Sequence, residues 1–203
     1  MGGGVGDAFF AELARKLGER KRVELGPSGL KPAAVLVPLF AGEGGEPRVV
    51  LTRRPESLRA HAGQVSFPGG SVEPADKDTL ATALREAEEE LGIPSAGVTV
   101  LGTLDDRPVV TGFVLTPWVG RIPAGLAYKV SEVEVARVFD VALAALVDPA
   151  RTRFRFETLE RNGFPIDIPY FETEGEVIWG ATGRILLQLL GITHGFEPPE
   201  PAG

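Results

Sequence analysis

The chain contains no cysteine, which excludes disulfides, thiolate zinc sites and a cysteine nucleophile. It has no uninterrupted apolar run approaching the roughly 20 residues of a membrane-spanning helix. The N-terminus also lacks a basic stretch followed by an apolar run and a cleavage site, so the chain reads as soluble and unprocessed, compatible with a cytoplasmic location. A basic excess is missing too: 21 Lys and Arg stand against 28 Asp and Glu, a net charge of −7. That balance argues against general nucleic-acid binding, which needs a basic surface to displace counterions from phosphates. A small polyanion would meet the same repulsion, so its recognition would fall to metal ions and locally placed arginines, whose planar forks suit phosphate. With 203 residues, 43% of them hydrophobic and 24% charged, the chain is of the size of one globular domain with a substantial core. We find no internal repeat and no second domain. The domain is expected over residues 1–196, with the Pro-rich tail 197–203 disordered.

What is present is concentrated between Arg59 and Ile93. The segment TLATALREAEEEL is rich in Ala, Leu and Glu, and Asp78 or Thr79 before it can cap a helix that Gly92, Ile93 and Pro94 end. At roughly 100° per residue, Leu80, Ala83, Leu84, Ala87 and Leu91 form one stripe that must face a core. Glu86, Glu89 and Glu90 fall on the neighbouring flank, and Glu88 points elsewhere. Carboxylates at i, i+3 and i+4 repel by about 0.2–0.5 kcal/mol per pair on an exposed helix. A hard divalent cation, Mg²⁺ or Mn²⁺, would turn that repulsion into binding, since such ions prefer oxygen ligands and often bridge a few carboxylates to substrate phosphates. Taken alone, REAEEE is equally a solvated helix face. The context upstream decides between them: Gln64 to Phe67 alternates as a short strand and runs into Phe67-Pro68-Gly69-Gly70, a turn whose glycines let a backbone carbonyl or amide approach a metal or a phosphate.

At this point the residues resemble the Nudix hydrolase family, whose box reads Gly-x5-Glu-x7-Arg-Glu-U-x-Glu-Glu-x-Gly-U, with U aliphatic. Arg85-Glu86-Ala87-Glu88-Glu89-Glu90-Leu91-Gly92-Ile93 matches the second half position by position. The first half departs: the expected Glu is Lys77 and the expected Gly is Ser71, as if one residue had been added after Gly70, leaving Asp76 or Asp78 to stand near the missing acid. A second pattern, Leu-Leu-Thr-x-Arg-[Ser/Ala]-x3-Arg-x3-Gly-x3-Phe-Pro-Gly-Gly, is met by Leu51, Thr52, Arg54, Arg59, Gly63 and Phe67 to Gly70, with Val50 and Pro55 as its departures. This pattern is similar to that of the coenzyme A pyrophosphatase branch. A weaker likeness continues through Thr111-Gly112, Glu134-Val135 and Ile178-Trp179-Gly180.

The resemblance implies metal-dependent hydrolysis of the diphosphate of coenzyme A or a derivative, giving 4′-phosphopantetheine, or its acyl form, and adenosine 3′,5′-bisphosphate. It implies that Glu86, Glu89 and Glu90, with the carbonyl of Gly69 or Gly70, hold Mg²⁺ or Mn²⁺, and that Arg54 and Arg59 contact phosphate. Glu86 is alternatively the base, Arg85 positions the carboxylates by ion pairing, and Glu134 is a further ligand or base. The partner is then a small nucleoside diphosphate derivative, with no nucleic acid or membrane involved, and a monomer or a homodimer is expected. ADP-ribose, a dinucleotide or a nucleoside triphosphate as substrate, or a non-catalytic binding module, stand as alternatives. His61 has no nucleophile to pair with and reads as a loop residue or a substrate ligand.

The rest of the chain frames this segment. Residues 5–22 form an amphipathic helix with Phe9, Leu13 and Leu17 one turn apart. Ala33 to Phe40 and Val49 to Thr52 read as a hairpin, and Val98 to Leu101 and Phe113 to Val119 as strands joined by the loop Asp105-Asp106-Arg107-Pro108, which by resemblance helps to hold substrate. Val141 to Val147 is a short apolar helix. Arg153 to Glu157 and Ile166 to Phe171 pair across a turn at Asn162-Gly163, and Trp179 to Leu190 is a closing helix, with Ile185, Leu186, Leu189 and Leu190 inward and Gly191 at its end. Strands on both sides of one central helix predict an α/β domain, a mixed β-sheet sandwiched between α-helices, which is the Nudix fold.

Overall fold

A computed structural model describes residues 4–26, 29–57, 61–109, 111–161 and 164–200. Arg59, the Asn162-Gly163 turn and the last three residues of the tail lie outside them. Strand β1, Lys31–Ala41, is the axis of the molecule: its residues from Ala33 to Leu39 are all buried, as a strand covered on both faces must be. It runs antiparallel to β2, Pro47–Arg53, and parallel to β7, Phe113–Arg121, in register from Lys31↔Phe113 to Leu39↔Arg121. β2 pairs on its far side with β8, Arg137–Ala142, and β7 with β5, Thr99–Thr103, and β6, Arg107–Val109. Beyond the stretch where β1 and β2 pair, β3, Val65–Ser66, continues the ladder on β2, and β4, Gly69–Ser71, continues it on β1. The result is a mixed eight-stranded sheet.

Period-two alternation along β1 sorts the two cores. Val35, Val37 and Leu39 face α1, Val5–Glu19, and α4, Gly180–His194, packing with Phe10, Leu13, Leu17, Ile185, Leu186, Leu189 and Leu190. Ala34 and Leu36 face the opposite way, toward Ala83, Ala87 and Leu91 of α2, Thr79–Leu91. The sheet is therefore sandwiched between helices, as expected. The fold is completed by a short helix α3, Leu143–Val147, and a second sheet of β9, Thr152–Arg161, β10, Phe164–Thr173, and β11, Glu176–Ile178. No helix among the described residues is long and apolar enough to cross a membrane.

Several sequence expectations shift. In α1 Phe10 is buried in place of Phe9, which packs half-buried at the margin of the core. α4 runs past Gly191 to His194 and ends instead on Gly195, whose left-handed conformation lets its N–H reach the carbonyls of Gly191 and Leu190. Val141 and Ala142 belong to β8 rather than to the short helix. The loop expected over Asp105 to Pro108 is divided: Arg107 and Pro108 lie in β6, and the two aspartates are committed to the fold. Asp105 accepts from the Val23 amide at 2.9 Å and from Gln188 Nε2 at 2.5 Å. Asp106, itself buried, accepts from the Leu25 amide at 3.0 Å, Arg22 Nη2 at 2.5 Å and Thr116 Oγ1 at 2.8 Å. These bonds fasten the segment after α1 across β6 and β7.

Replacing Asp106 with Ala leaves Arg22 without its buried partner and should cost about 3 kcal/mol, the low end for a broken buried pair because Arg22 still reaches water. Urea denaturation measures this, and a Michaelis constant that rose with unchanged stability would return Asp106 to a substrate-holding role.

Candidate active site

Helix α2 carries most of the site, and its placement follows from its ends and its small residues. The Asp78 carboxylate accepts the Ala81 N–H at 2.8 Å, which makes it, of the two candidates Asp78 and Thr79, the N-cap, and Gly92, with φ of 66°, closes the helix by donating to the carbonyls of Ala87 and Glu88. Ala83 and Ala87 are fully buried, and their small side chains bring the helix close over β1. The buried face is rotated from the predicted stripe: Leu80 and Leu84 are only half-buried, while Glu90 is 5% exposed. Within the carboxylate flank, Glu90 thus turns inward and Glu86 partly so, while Glu89 stays toward solvent.

Glu90 Oε1 receives the Gly69 N–H at 3.3 Å. Burial pushes the Glu90 carboxyl up to about 7; the Gly69 bond opposes this, nearby Glu86 and Glu134 add to it, and Arg54 opposes it. Glu86 is half-buried one turn earlier, and burial raises its carboxyl as well, with Arg85 pulling against that and Glu89 and Glu134 adding to it. The glycine pair was expected to form a turn; instead Gly69 and Gly70 sit in β4, paired with Val35 and Ala34. Neither has the left-handed backbone that demands glycine. They are needed for space: a Cβ on Gly69 would overlap the Ala34 carbonyl, and one on Gly70 would overlap the Glu86 carboxylate. The Glu86 carboxylate therefore lies directly against the Gly70 backbone.

Arg85 is the hub of the outer rim. It grips Asp76 with Nε and Nη2, each at 3.1 Å, and reaches Glu86 at 2.9 Å, Glu89 at 3.0 Å and the Ser71 carbonyl at 3.3 Å. Asp76 also accepts from Thr82 Oγ1 at 2.8 Å, and Arg85 holds its carboxyl well below the usual carboxylate range. This separates the two candidates for the displaced acid of the box: Asp76 is the partner of Arg85, and Asp78 serves as the helix cap. Counting back from Arg85 places Asp76 one residue beyond the expected position, which is the signal the sequence carried.

The structure thus brings together Glu86, Glu90, Gly69 and Gly70, with Glu134 and Arg54 within electrostatic reach. Glu134 is carried there by a segment draped over the end of α2, where the Ser131 amide donates to the Glu90 carbonyl at 2.9 Å. Glu89 stays exposed at the rim, turned to Arg85, and Glu88 is drawn away by Ser95 Oγ at 2.7 Å. His61 Nδ1 lies 2.7 Å from Gln64 Oε1 in the loop after β2. Among the described residues no three acids are already gathered as ligands, because Arg85 draws Glu86 and Glu89 toward itself. The donor chemistry nonetheless fits a hard divalent ion: all the converging groups are oxygens, and a buried carboxylate lies beside a second with no cation in direct contact with either except Arg85.

A family profile described as "NUDIX domain" matches residues 30–160. The chain belongs to the Nudix hydrolase family. It is 41% identical over 157 residues to the "Uncharacterized Nudix hydrolase NudL" of Photorhabdus laumondii, covering 77% of this chain and 82% of that one. A protein of the same name from Shigella flexneri is 39% identical over 177 residues, 86% of this chain and 90% of the other. Among solved structures, the Nudix hydrolase RenU from M. smegmatis superposes with a TM-score of 0.50 at 22% identity, covering 59% of this chain and 75% of that one, which is a likeness of fold. As a Nudix hydrolase the chain is an enzyme, and the family's general use of divalent metal agrees with the oxygen-rich site.

Two predictions follow from this geometry. Gly69→Ala should destabilise the fold by about 1–3 kcal/mol, since backbone cannot give way, whereas Gly70→Ala should displace the Glu86 side-chain end and weaken metal binding at nearly unchanged stability; urea melts and metal titrations separate them. The second concerns pH. Glu90 stays protonated in the folded state up to about 7 but ionises near 4.5 when unfolded, so metal-free stability should fall as pH rises between those values. Added Mg²⁺, which binds the ionised form, should raise the melting temperature more at pH 8 than at pH 6, and Glu90→Gln should flatten both effects.

Proposed function

We propose that this Nudix hydrolase cleaves the diphosphate of coenzyme A or a derivative, releasing 4′-phosphopantetheine, or its acyl form, and adenosine 3′,5′-bisphosphate. The observation that carries the reading is the pair of inward-turned carboxylates, Glu86 and Glu90, set against the Gly69-Gly70 strand. The strand ends the motif that resembles the coenzyme A branch, so the motif and the helix carboxylates meet at one place.

Glu90 and Glu86, with the Gly70 carbonyl and with Glu89 once it leaves Arg85, are the residues that would hold Mg²⁺ or Mn²⁺. A bound ion of this kind supplies neutralisation of phosphate charge and a more acidic water. The chain's own residues do the rest. Burial of Glu86 makes it a better proton acceptor than a solvated carboxylate, which suits it to take the proton of the attacking water. Glu134 is the further acid at the mouth. Arg54 and Arg59 contact the phosphates, and what favours this for Arg54 is that its buried Nε finds no hydrogen-bond partner among the described residues. Arg85 touches no substrate; its bidentate grip on Asp76 fixes the rim of β4 and the helix relative to each other. Water attacks one phosphorus, the bridging P–O bond breaks, and the leaving phosphate departs as the second product.

Incubation of the protein with coenzyme A and Mn²⁺ or Mg²⁺, with ADP-ribose in parallel and a chelator control, tests this. Metal-dependent adenosine 3′,5′-bisphosphate is expected from coenzyme A, and Glu90→Gln should lower turnover by about 100-fold or more while leaving the fold intact. Cleavage of ADP-ribose alone would discard coenzyme A as substrate; binding without any metal-dependent product would indicate a non-catalytic module.

A further inference from the structure

The second sheet contributes a carboxylate that sequence reasoning did not single out. Glu176 opens β11 after a two-residue hairpin turn in which Glu174 and Gly175 both have left-handed backbone, φ 51° and 79°. Its side chain is 4% exposed and lies between two arginines of the main sheet: Arg137 Nη1 at 2.8 Å and Arg53 Nη1 at 3.5 Å. Those arginines are cross-strand partners, Arg53↔Arg137, at the ends of β2 and β8. Arg53 falls on the same strand face as Val49 and Leu51, in the core under α4, whereas Val50 faces α2. Alternation therefore turns the next residue, Arg54, toward the α2 side. The chain remains extended there, since the Arg54 amide continues the ladder to the Gln64 carbonyl at 3.0 Å. The Arg53 carbonyl in turn accepts from the Ala136 amide at 2.8 Å, two residues after Glu134.

We infer that Glu176 is a positioning residue: by clamping Arg53 and Arg137 from behind the sheet, it sets the strand ends from which Arg54 and Glu134 project toward the Glu86–Glu90 carboxylates. The inference rests on the reading of Arg54 as a phosphate contact. Glu176 faces away from α2 and has no part in binding or chemistry itself. A buried carboxylate shared by two partly exposed guanidiniums contributes little net stability against a well-packed alternative, but it holds a geometry, because each charged partner fixes the other.

The test is a double-mutant cycle on steady-state kinetics with coenzyme A and Mn²⁺. Glu176→Gln should raise KM about tenfold, equivalent to about 1.4 kcal/mol, with kcat within about twofold. Arg53→Gln, which breaks the clamp at the guanidinium next to Arg54, should do the same and serves if Glu176→Gln folds poorly; urea midpoints for each variant report folding separately. Arg54→Ala should also raise KM, and adding Glu176→Gln to it should raise KM no further. Unchanged KM in both clamp variants, with KM raised in Arg54→Ala, would overturn the inference and leave the Arg54 reading in place. Fully additive rises would overturn it too, since Glu176 would then act elsewhere. If Arg54→Ala itself left KM unchanged, the reading of Arg54 and the inference built on it would both fall.

Discussion

A carboxylate buried beside a second carboxylate, with no direct cation of its own, is the constraint on which the arrangement of this chain turns. Glu90 is drawn into the sheet–helix interface by the same packing that buries Ala83, Ala87 and Leu91. Larger side chains at 83 and 87 would lift α2 off β1 and return the acid to solvent. Glycine at 69 and 70 is the complementary condition on the other wall, because β4 must lie between β1 and the carboxylates with no Cβ in the way. Small residues on the helix and on the strand therefore serve one end, the close approach of backbone and carboxylate oxygens. Such an approach is unfavourable in an empty site and favourable around a hard cation.

The rim solves a different problem. A helix with four glutamates in five positions, Glu86 and Glu88 to Glu90, needs a cation to hold it in one orientation, and Arg85 supplies one. Its fork is occupied by Asp76, so the loop between β4 and α2 is tied to the helix in two places, at this ion pair and at the Asp78 cap. The residue added to the box is absorbed in that loop. A shorter acid one position further from Arg85 still meets the guanidinium, because loop backbone can adjust where helix backbone cannot.

Much of this was legible in the residues, and the parts that were not share a cause. The caps of α2, the inward faces of β1 and α4, and the hairpin of β1 and β2 follow from local chemistry: Asp at an N-cap, glycine in left-handed backbone, apolar spacing. The same glycine logic misplaced the end of α4, since Gly191 is compatible with helix and only Gly195 takes the left-handed conformation. Gly69 and Gly70 looked like a turn because glycine usually signals backbone freedom; here it signals crowding, set for Gly69 by β1, more than 30 positions earlier in the chain, and for Gly70 by Glu86 on α2. Asp105 and Asp106 looked like a substrate loop because their partners, Arg20, Arg22 and Gln188, are more than 80 positions away. Glu176 is of the same kind. Long-range pairing decides these roles, and no local pattern records it.

The charge of the site bears on how a polyanion enters it. Glu86, Glu89, Glu90 and Glu134 bring four carboxylates to the mouth, of which burial keeps Glu90 protonated up to about 7 until a cation binds. Arg85 is shared among Asp76, Glu86 and Glu89, and Arg54 is the other described cation within reach of these acids. A diphosphate approaching this surface unaided would be repelled, and the low dielectric around Glu90 would sharpen that repulsion. Under the proposed function, the cations that activate water also have to make the site attractive to substrate, so metal and diphosphate would bind as a set rather than independently. Arginine without metal would then be insufficient for binding, whatever its geometry. An overall acidic protein with few local arginines is consistent with that division of labour: on the proposed reading it would reject phosphates in general and admit those that arrive with, or meet, a divalent ion.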